Sequence, residues 1–224
     1  MSFSFQPHIH HLVMHNQIIL LDEKKDHFMI LSESQTTLLT ESSKSCAQYE
    51  NLLNELTQLN LVHRTPYSQA LNRVDEEYEG IDNYTWRISR CSSSSSLSLL
   101  PTIWALLDLL RLKISLKKHG LGYVLNSMRK AKINKKNGST LSQEALKNYV
   151  NSVHHASLLL PLKVKCLESS ICIFNYAIKN GENCNFFIGV QLFDFLSHAW
   201  VEIDGKVVSD DQHLSSKLPK ILSI

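Results

Sequence analysis

No stretch of this 224-residue sequence stays apolar for the roughly 20 residues that a bilayer-spanning helix requires. The most apolar stretch, Leu97 to Leu112, carries Asp108 and Arg111 and reads as a buried helix, so no transmembrane segment is expected. Its basic continuation leaves room only for weak contact with a membrane surface. The amino end lacks a secretory signal pattern. The five cysteines, Cys46, Cys91, Cys166, Cys172 and Cys184, form no dense framework. A reducing, cytoplasmic location is the expectation. There is no Gly-x-x-x-x-Gly-Lys-Ser/Thr phosphate loop, which argues against a P-loop nucleotide site. A net charge of +2 is too small to imply a nucleic-acid partner. Charge is unevenly placed all the same: Arg111 to Lys136 holds nine Lys or Arg and no acid, the pattern of a solvated helix face.

What is present begins with a small amino-terminal module. Residues 1–11 show no clear periodicity, and His8, His10, His11 and His15 have no metal-ligand spacing, so they read as ordinary terminal residues. Gln17 to Leu21 and His27 to Leu31 are β-like runs joined by the polar Asp22-Glu23-Lys24-Lys25-Asp26, a hairpin signal. Ser32 with Gln35 resembles a capping box ahead of a short helix. Ser45 with Gln48 repeats it before Tyr49, Leu52, Leu53, Leu56 and Leu59, whose three-and-four spacing predicts an amphipathic helix ending near Asn60. Leu61 to Arg64 supplies a returning strand. These elements suggest a winged-helix-like domain over residues 1–80. The helix Ser45 to Leu59 bears Glu50 and Glu55 and no Lys or Arg, a poor surface for phosphates. An exposed sheet edge that accepts an extended peptide is the easier use.

The domain boundary falls between residues 66 and 96, where acidic residues and turn formers give way to Cys91 and the linker-like Ser92 to Ser96. A helix is predicted from Ser98 to His119, stopping at Gly120 with Gly122 as a second breaker. Another runs from Thr140 to His155, with His154 and His155 in capping or surface roles.

Chemistry gathers near the carboxyl end. Apolar periodicity from Cys166 through Leu167, Ile171, Phe174, Ala177 and Ile178 places Cys166 at a helix amino terminus, where free amides and the helix field favour a thiolate. Cys172 sits deeper, as a core residue, and Cys184 at a loop-to-strand transition. Alternation in His198-Ala199-Trp200-Val201-Glu202 puts His198, Trp200 and Glu202 on one strand face. Asp204-Gly205 then marks a tight return. A two-residue loop there would set Asp211 opposite His198, and a three-residue loop would set Asp210 there. Pattern leaves both registers open, and either brings a carboxylate to the imidazole. Thiol, imidazole and carboxylate are the inventory of cysteine nucleophilic catalysis.

Cys166-Leu167, Ile188-Gly189-Val190 and His198-Ala199-Trp200-Val201-Glu202 followed by Gly205 and Asp210 resemble the transglutaminase-like cysteine protease of lasso-peptide B proteins, the family of microcin maturation. Gln17 to Arg64 resembles the precursor-recognition domain fused ahead of it, and the helix around Trp104 its early protease helix. The resemblance implies an α+β chain with a winged-helix-like peptide-recognition domain at 1–80. A transglutaminase-like, papain-like cysteine protease domain would follow at 81–224. It implies removal of the leader from a ribosomally made precursor, with Cys166 as nucleophile, His198 as base and acid, and Asp210, preferred over Asp211, orienting His198. No metal or directly bound cofactor is expected. A separate ATP-dependent, asparagine-synthetase-like lasso cyclase is the implied partner, and any ATP dependence would reside there. Two alternatives stand beside this reading: a transglutaminase-type acyl transferase using the same thioester, and an inactive peptide-binding adaptor.

Overall fold

The computed structural model describes residues 2–40, 46–67, 69–74, 76–82, 99–135 and 141–224, and the chain falls into two units, Met1–Glu77 and Tyr78–Ile224. Cys91 and the serine run lie outside the described residues.

In the amino-terminal unit the expected hairpin forms from β3 (Gln17–Asp22) and β4 (His27–Leu31), in the register Asp22↔His27. Asp22 Oδ1 accepts the amides of Lys24 and Lys25 at 2.9 and 3.1 Å, so the polar connection caps itself. The aperiodic amino end is a correction: it forms β1 (Ser2–Phe5) and β2 (Ile9–Met14). β2 joins β3 and β4 in a three-stranded antiparallel sheet, and β1 pairs with β5 (Val62–Thr65). Its histidines are built in. His8 is buried, His10 meets Glu23 at 2.9 Å, and His11 stacks on Phe5 while accepting the Asn72 amide. No group of three potential metal ligands occurs among the described residues.

Helix α1 (Glu33–Thr40) opens on the expected capping box: the Gln35 amide donates to Ser32 Oγ and the Ser32 amide to Gln35 Oε1. Helix α2 (Ala47–Gln58) is capped by Cys46, whose sulfur accepts the Tyr49 amide at 3.4 Å; Ser45 lies outside the described residues. Tyr49, Leu52, Leu53 and Leu56 form the predicted apolar stripe and share a core with Phe3, Phe5, Ile18 and Leu20.

The carboxyl-terminal unit contains helices α3 (Leu99–Ile133), α4 (Gln143–Leu159) and α5 (Cys166–Lys179) and a four-stranded antiparallel sheet. Its strands are β6 (Cys184–Gln191), β7 (Leu196–Ile203), β8 (Lys206–Val207) and β9 (Lys220–Ser223), in the order β8-β7-β6-β9, with the one-turn helix α6 (Leu214–Lys217) before β9. Helix α5 is seated on the sheet: Ser170 Oγ donates to the Ala199 carbonyl and Phe174 meets Phe186 edge to face. Tyr149 of α4 stacks on Tyr176 of α5 and donates its hydroxyl to Asp108 of α3, tying the helices together.

Three helix readings are corrected. α3 kinks at Gly120 (φ 78°, ψ 174°) and resumes, because Leu121, Val124, Leu125 and Met128 carry a second buried stripe past the glycine. The start of α3 is not buried all round. Thr102, Ala105 and Leu109 face inward, whereas Leu99, Leu100, Ile103 and Trp104 are more than half exposed, since apolar residues occupy both helix faces and only one is packed. Among the described residues no helix is long and apolar enough to cross a membrane. α4 starts after Ser142, whose hydroxyl caps the Ala145 amide, and runs past His155 to Leu159.

Candidate functional site

The amino end of α5 is held by a clamp. Glu168, in the first turn, accepts the Lys165 amide on one carboxylate oxygen at 2.9 Å and pairs with Lys113 of α3 on the other at 3.0 Å. Lys113 also donates to the Lys163 carbonyl at 2.8 Å, so the chain entering α5 is fixed on both sides of Lys165. Sequence reading passed over this pair. The signal available was the Lys165-to-Glu168 spacing of a capping box, with a lysine where a short polar residue is usual.

Cys166 is the first residue of α5 and is partly exposed. The other described thiols are poor nucleophiles: burial pushes Cys172 and Cys184 up to about 12, and Cys46 is committed to capping α2.

His198 lies on β7 opposite Gly189 of β6 and is 5% exposed. Its Nε2 meets Asp210 Oδ2 at 2.7 Å. Burial pulls the imidazole down, but the Asp210 hydrogen bond and the hydrogen bond and charge of Cys166 outweigh it, and His198 is raised to about 9. Nε2 is engaged by Asp210, and the hydrogen bond and charge through which Cys166 acts on the imidazole place the thiol beside the same ring. Thiol, imidazole and carboxylate are thus gathered at one place, the set of groups that cysteine nucleophilic chemistry requires.

The register differs from the one that would have favoured Asp210. Ile203 pairs with Lys206 and Glu202 with Val207, the two-residue Asp204-Gly205 loop, and the Val208 amide still donates to the Val201 carbonyl. Continued regularly, that ladder would bring Asp211 to His198. Instead β8 ends at Val207, the chain bends over residues 208–210, and Asp210 turns to the imidazole. Asp211 pairs with Lys217 at 2.7 Å and accepts the His213 amide, and its carboxyl is held below the usual range by those two donors.

A model of the transglutaminase-like superfamily matches residues 108–223, the region from α3 to β9 that contains Cys166, His198 and Asp210. The chain is also similar to the Microcin J25-processing protein McjB of Escherichia coli, with 24% identity over 212 residues that cover 92% of this chain and 94% of that protein. No solved structure matches it. With more than half of its length matched by the family model, including the helix that carries the thiol and the strand that carries the imidazole, the chain belongs to the transglutaminase-like superfamily.

Proposed function

We propose that this protein is a cysteine endopeptidase that removes the leader from a ribosomally made lasso-peptide precursor. The observation that carries the reading is the convergence of Cys166, His198 and Asp210, with a partly exposed thiol at a helix amino terminus beside a buried, raised imidazole. Similarity to a microcin-processing protein over most of both chains supports the substrate class.

In this reaction the Cys166 thiolate attacks the carbonyl carbon at the leader-core junction, forming a C–S bond and an oxyanion. Amides in the first turn of α5 have no carbonyl partner within the helix and serve as oxyanion donors. Collapse breaks the C–N bond, and His198 delivers its proton to the departing amine of the core. His198 then takes a proton from water, the resulting hydroxide displaces sulfur from the thioester, and the leader leaves with a free carboxylate. Asp210 keeps the imidazole in the required tautomer and stabilises its cationic form. The steps use no metal or cofactor.

The amino-terminal unit serves as a winged-helix-like recognition domain. β4 is an edge strand of its sheet and suits an extended leader paired through main-chain hydrogen bonds. An ATP-using lasso cyclase acts on the released core, and the site of action is the cytoplasm.

The superfamily match also supports a second reading, transfer of the same thioester to an amine. Mass spectrometry of precursor incubated with the protein separates the two: hydrolysis releases a leader carboxylate, and transfer leaves a new amide. Cys166→Ala and His198→Ala are expected to fold, by circular dichroism, and to bind precursor without cleaving it. Full cleavage by folded Cys166→Ala would overturn the proposal.

A further inference from the structure

One hydrogen bond does not fix a ring. The bond from His198 Nε2 to Asp210 leaves the imidazole able to turn about the line joining the two groups, and that turn would change how the ring meets Cys166. Something else must set the plane, and the same face of β7 provides it.

Trp200 is fully buried two residues from His198. Its ring lies 17° from parallel to the imidazole, with centroids 6.5 Å apart. Gly189, the residue directly opposite His198, has no side chain because the indole occupies that space: a Cβ there would come within 2.7 Å of Trp200 Cη2 and Cζ3. The indole is held in turn. Its Nε1–H donates to Glu202 Oε1 at 2.7 Å, and Glu202, itself 5% exposed, also accepts the Ser215 hydroxyl and pairs with Lys220 at 3.1 Å. The Lys220 ammonium rests 3.8 Å from the centroid of Phe187, which pairs across the ladder with Trp200. A buried indole N–H without an acceptor is costly, so rotation of the Trp200 ring is tied to the Glu202 carboxylate.

We infer that Trp200 and Glu202 are positioning residues that set the plane of His198 and so how the ring meets Cys166. Neither reaches the reacting atoms. Glu202 fixes the indole, and the indole fixes the imidazole against the Asp210 bond. The inference rests on the proposed thiol chemistry, and its test includes a measurement that needs no peptide substrate.

Full-length wild type, Trp200→Phe, Glu202→Ala and Glu202→Gln are compared in three ways: thermal unfolding, kcat and KM for precursor cleavage, and the rate of Cys166 alkylation by iodoacetamide across pH 5 to 9, located by peptide mapping. Trp200→Phe keeps a flat ring and loses the anchoring N–H, and Glu202→Ala loses the acceptor. In both, kcat should fall roughly 10- to 100-fold with KM unchanged, the scale of loss for a misaimed group. The low-pH part of the alkylation profile, which reports the thiolate beside a protonated imidazole, should fall with it. Glu202→Gln, whose amide oxygen can still accept the indole N–H, should recover much of the loss of Glu202→Ala. A variant that melts earlier but keeps wild-type kcat and the wild-type alkylation profile would reduce the pair to a structural role and overturn the inference. Should Glu202→Ala not fold, the same outcome in folded Trp200→Phe overturns it. Altered alkylation profiles in a protein whose wild type cleaves no precursor would instead uphold the positioning role and sink the leader-peptidase reading.

Discussion

Asp210 and Asp211 are chain neighbours whose carboxylates meet different cations, His198 for the first and Lys217 for the second, each at 2.7 Å. Asp210→Asn removes the charge that stabilises the imidazolium and keeps a side chain of similar size. Single-turnover cleavage should slow by about 10⁴-fold, the scale seen when a serine-protease triad has its aspartate replaced by asparagine. Asp211→Asn breaks a partly exposed ion pair and should change stability by no more than about 1 kcal/mol, with cleavage retained. The opposite ranking would move the third role to Asp211. The residue types of this site were legible in the sequence, but the strand pattern left the choice between the aspartates open, and only the family resemblance preferred Asp210. That choice depends on where β8 stops, and the bend over residues 208–210 has no periodic signature. The raised imidazole also links to stability. Because His198 is raised to about 9 from an ordinary 6.5, the folded state favours the protonated ring. Its contribution is complete below about pH 6.5 and is lost as pH rises through about 9. Urea unfolding of wild type and Asp210→Asn should therefore show a stability gap that is wide at pH 6 and narrows by pH 9.5. A gap that widens over that range would contradict the assignment of the proton.

Helix α5 carries the thiol, and its amino end depends on residues distant in sequence. Lys113 reaches it from α3, and Glu168 joins the Lys113 ammonium to the Lys165 amide. Glu168→Ala leaves a largely buried ammonium and a helix-entry amide without their shared acceptor. A loss of about 1–3 kcal/mol in urea unfolding is expected, with slower cleavage because Cys166 is the residue next to the loosened amide. Unchanged stability would show that water replaces the carboxylate and that the clamp is not what holds the helix. Packing of β6 against β7 has a similarly sharp requirement at Gly189. An added methyl would meet Trp200 at 2.7 Å and Leu218 Cβ at 2.9 Å, so Gly189→Ala should cost about 1–3 kcal/mol through overpacking. At this scale the helices were legible wherever one apolar stripe repeated, as in α2 and α5. α3 was legible only in part. Leu121, Val124, Leu125 and Met128 continue the helical period, but Gly120 can end a helix or kink it, and which occurs is decided by what the second half packs against.

Across the whole chain, the amino-terminal unit has its own core, built from Phe3, Phe5, Ile18, Leu20, Tyr49, Leu53 and Leu56. Part of that core comes from β1, which sequence reading missed because its partner lies far along the chain: Ser2 pairs with Thr65 and Phe5 with Val62. A four-residue strand at a terminus carries too short an alternation to announce itself, and its pairing is fixed by the fold. Under the proposed division of labour, residues 1–77 hold the leader and the remainder cuts, so the covalent link raises the concentration of the scissile bond near Cys166. Flexible tethers supply effective concentrations of about the millimolar range. The two units mixed as separate chains at micromolar concentration should therefore process precursor far more slowly than the intact protein. Isotope-labelled residues 1–77, titrated with leader peptide, should show backbone amide shifts concentrated along β4, whose outer edge offers main-chain donors and acceptors. Core peptide should leave those amides unmoved. A folded segment that answers only to the core, or to neither peptide, would place leader recognition elsewhere even if the intact chain still cleaved its substrate.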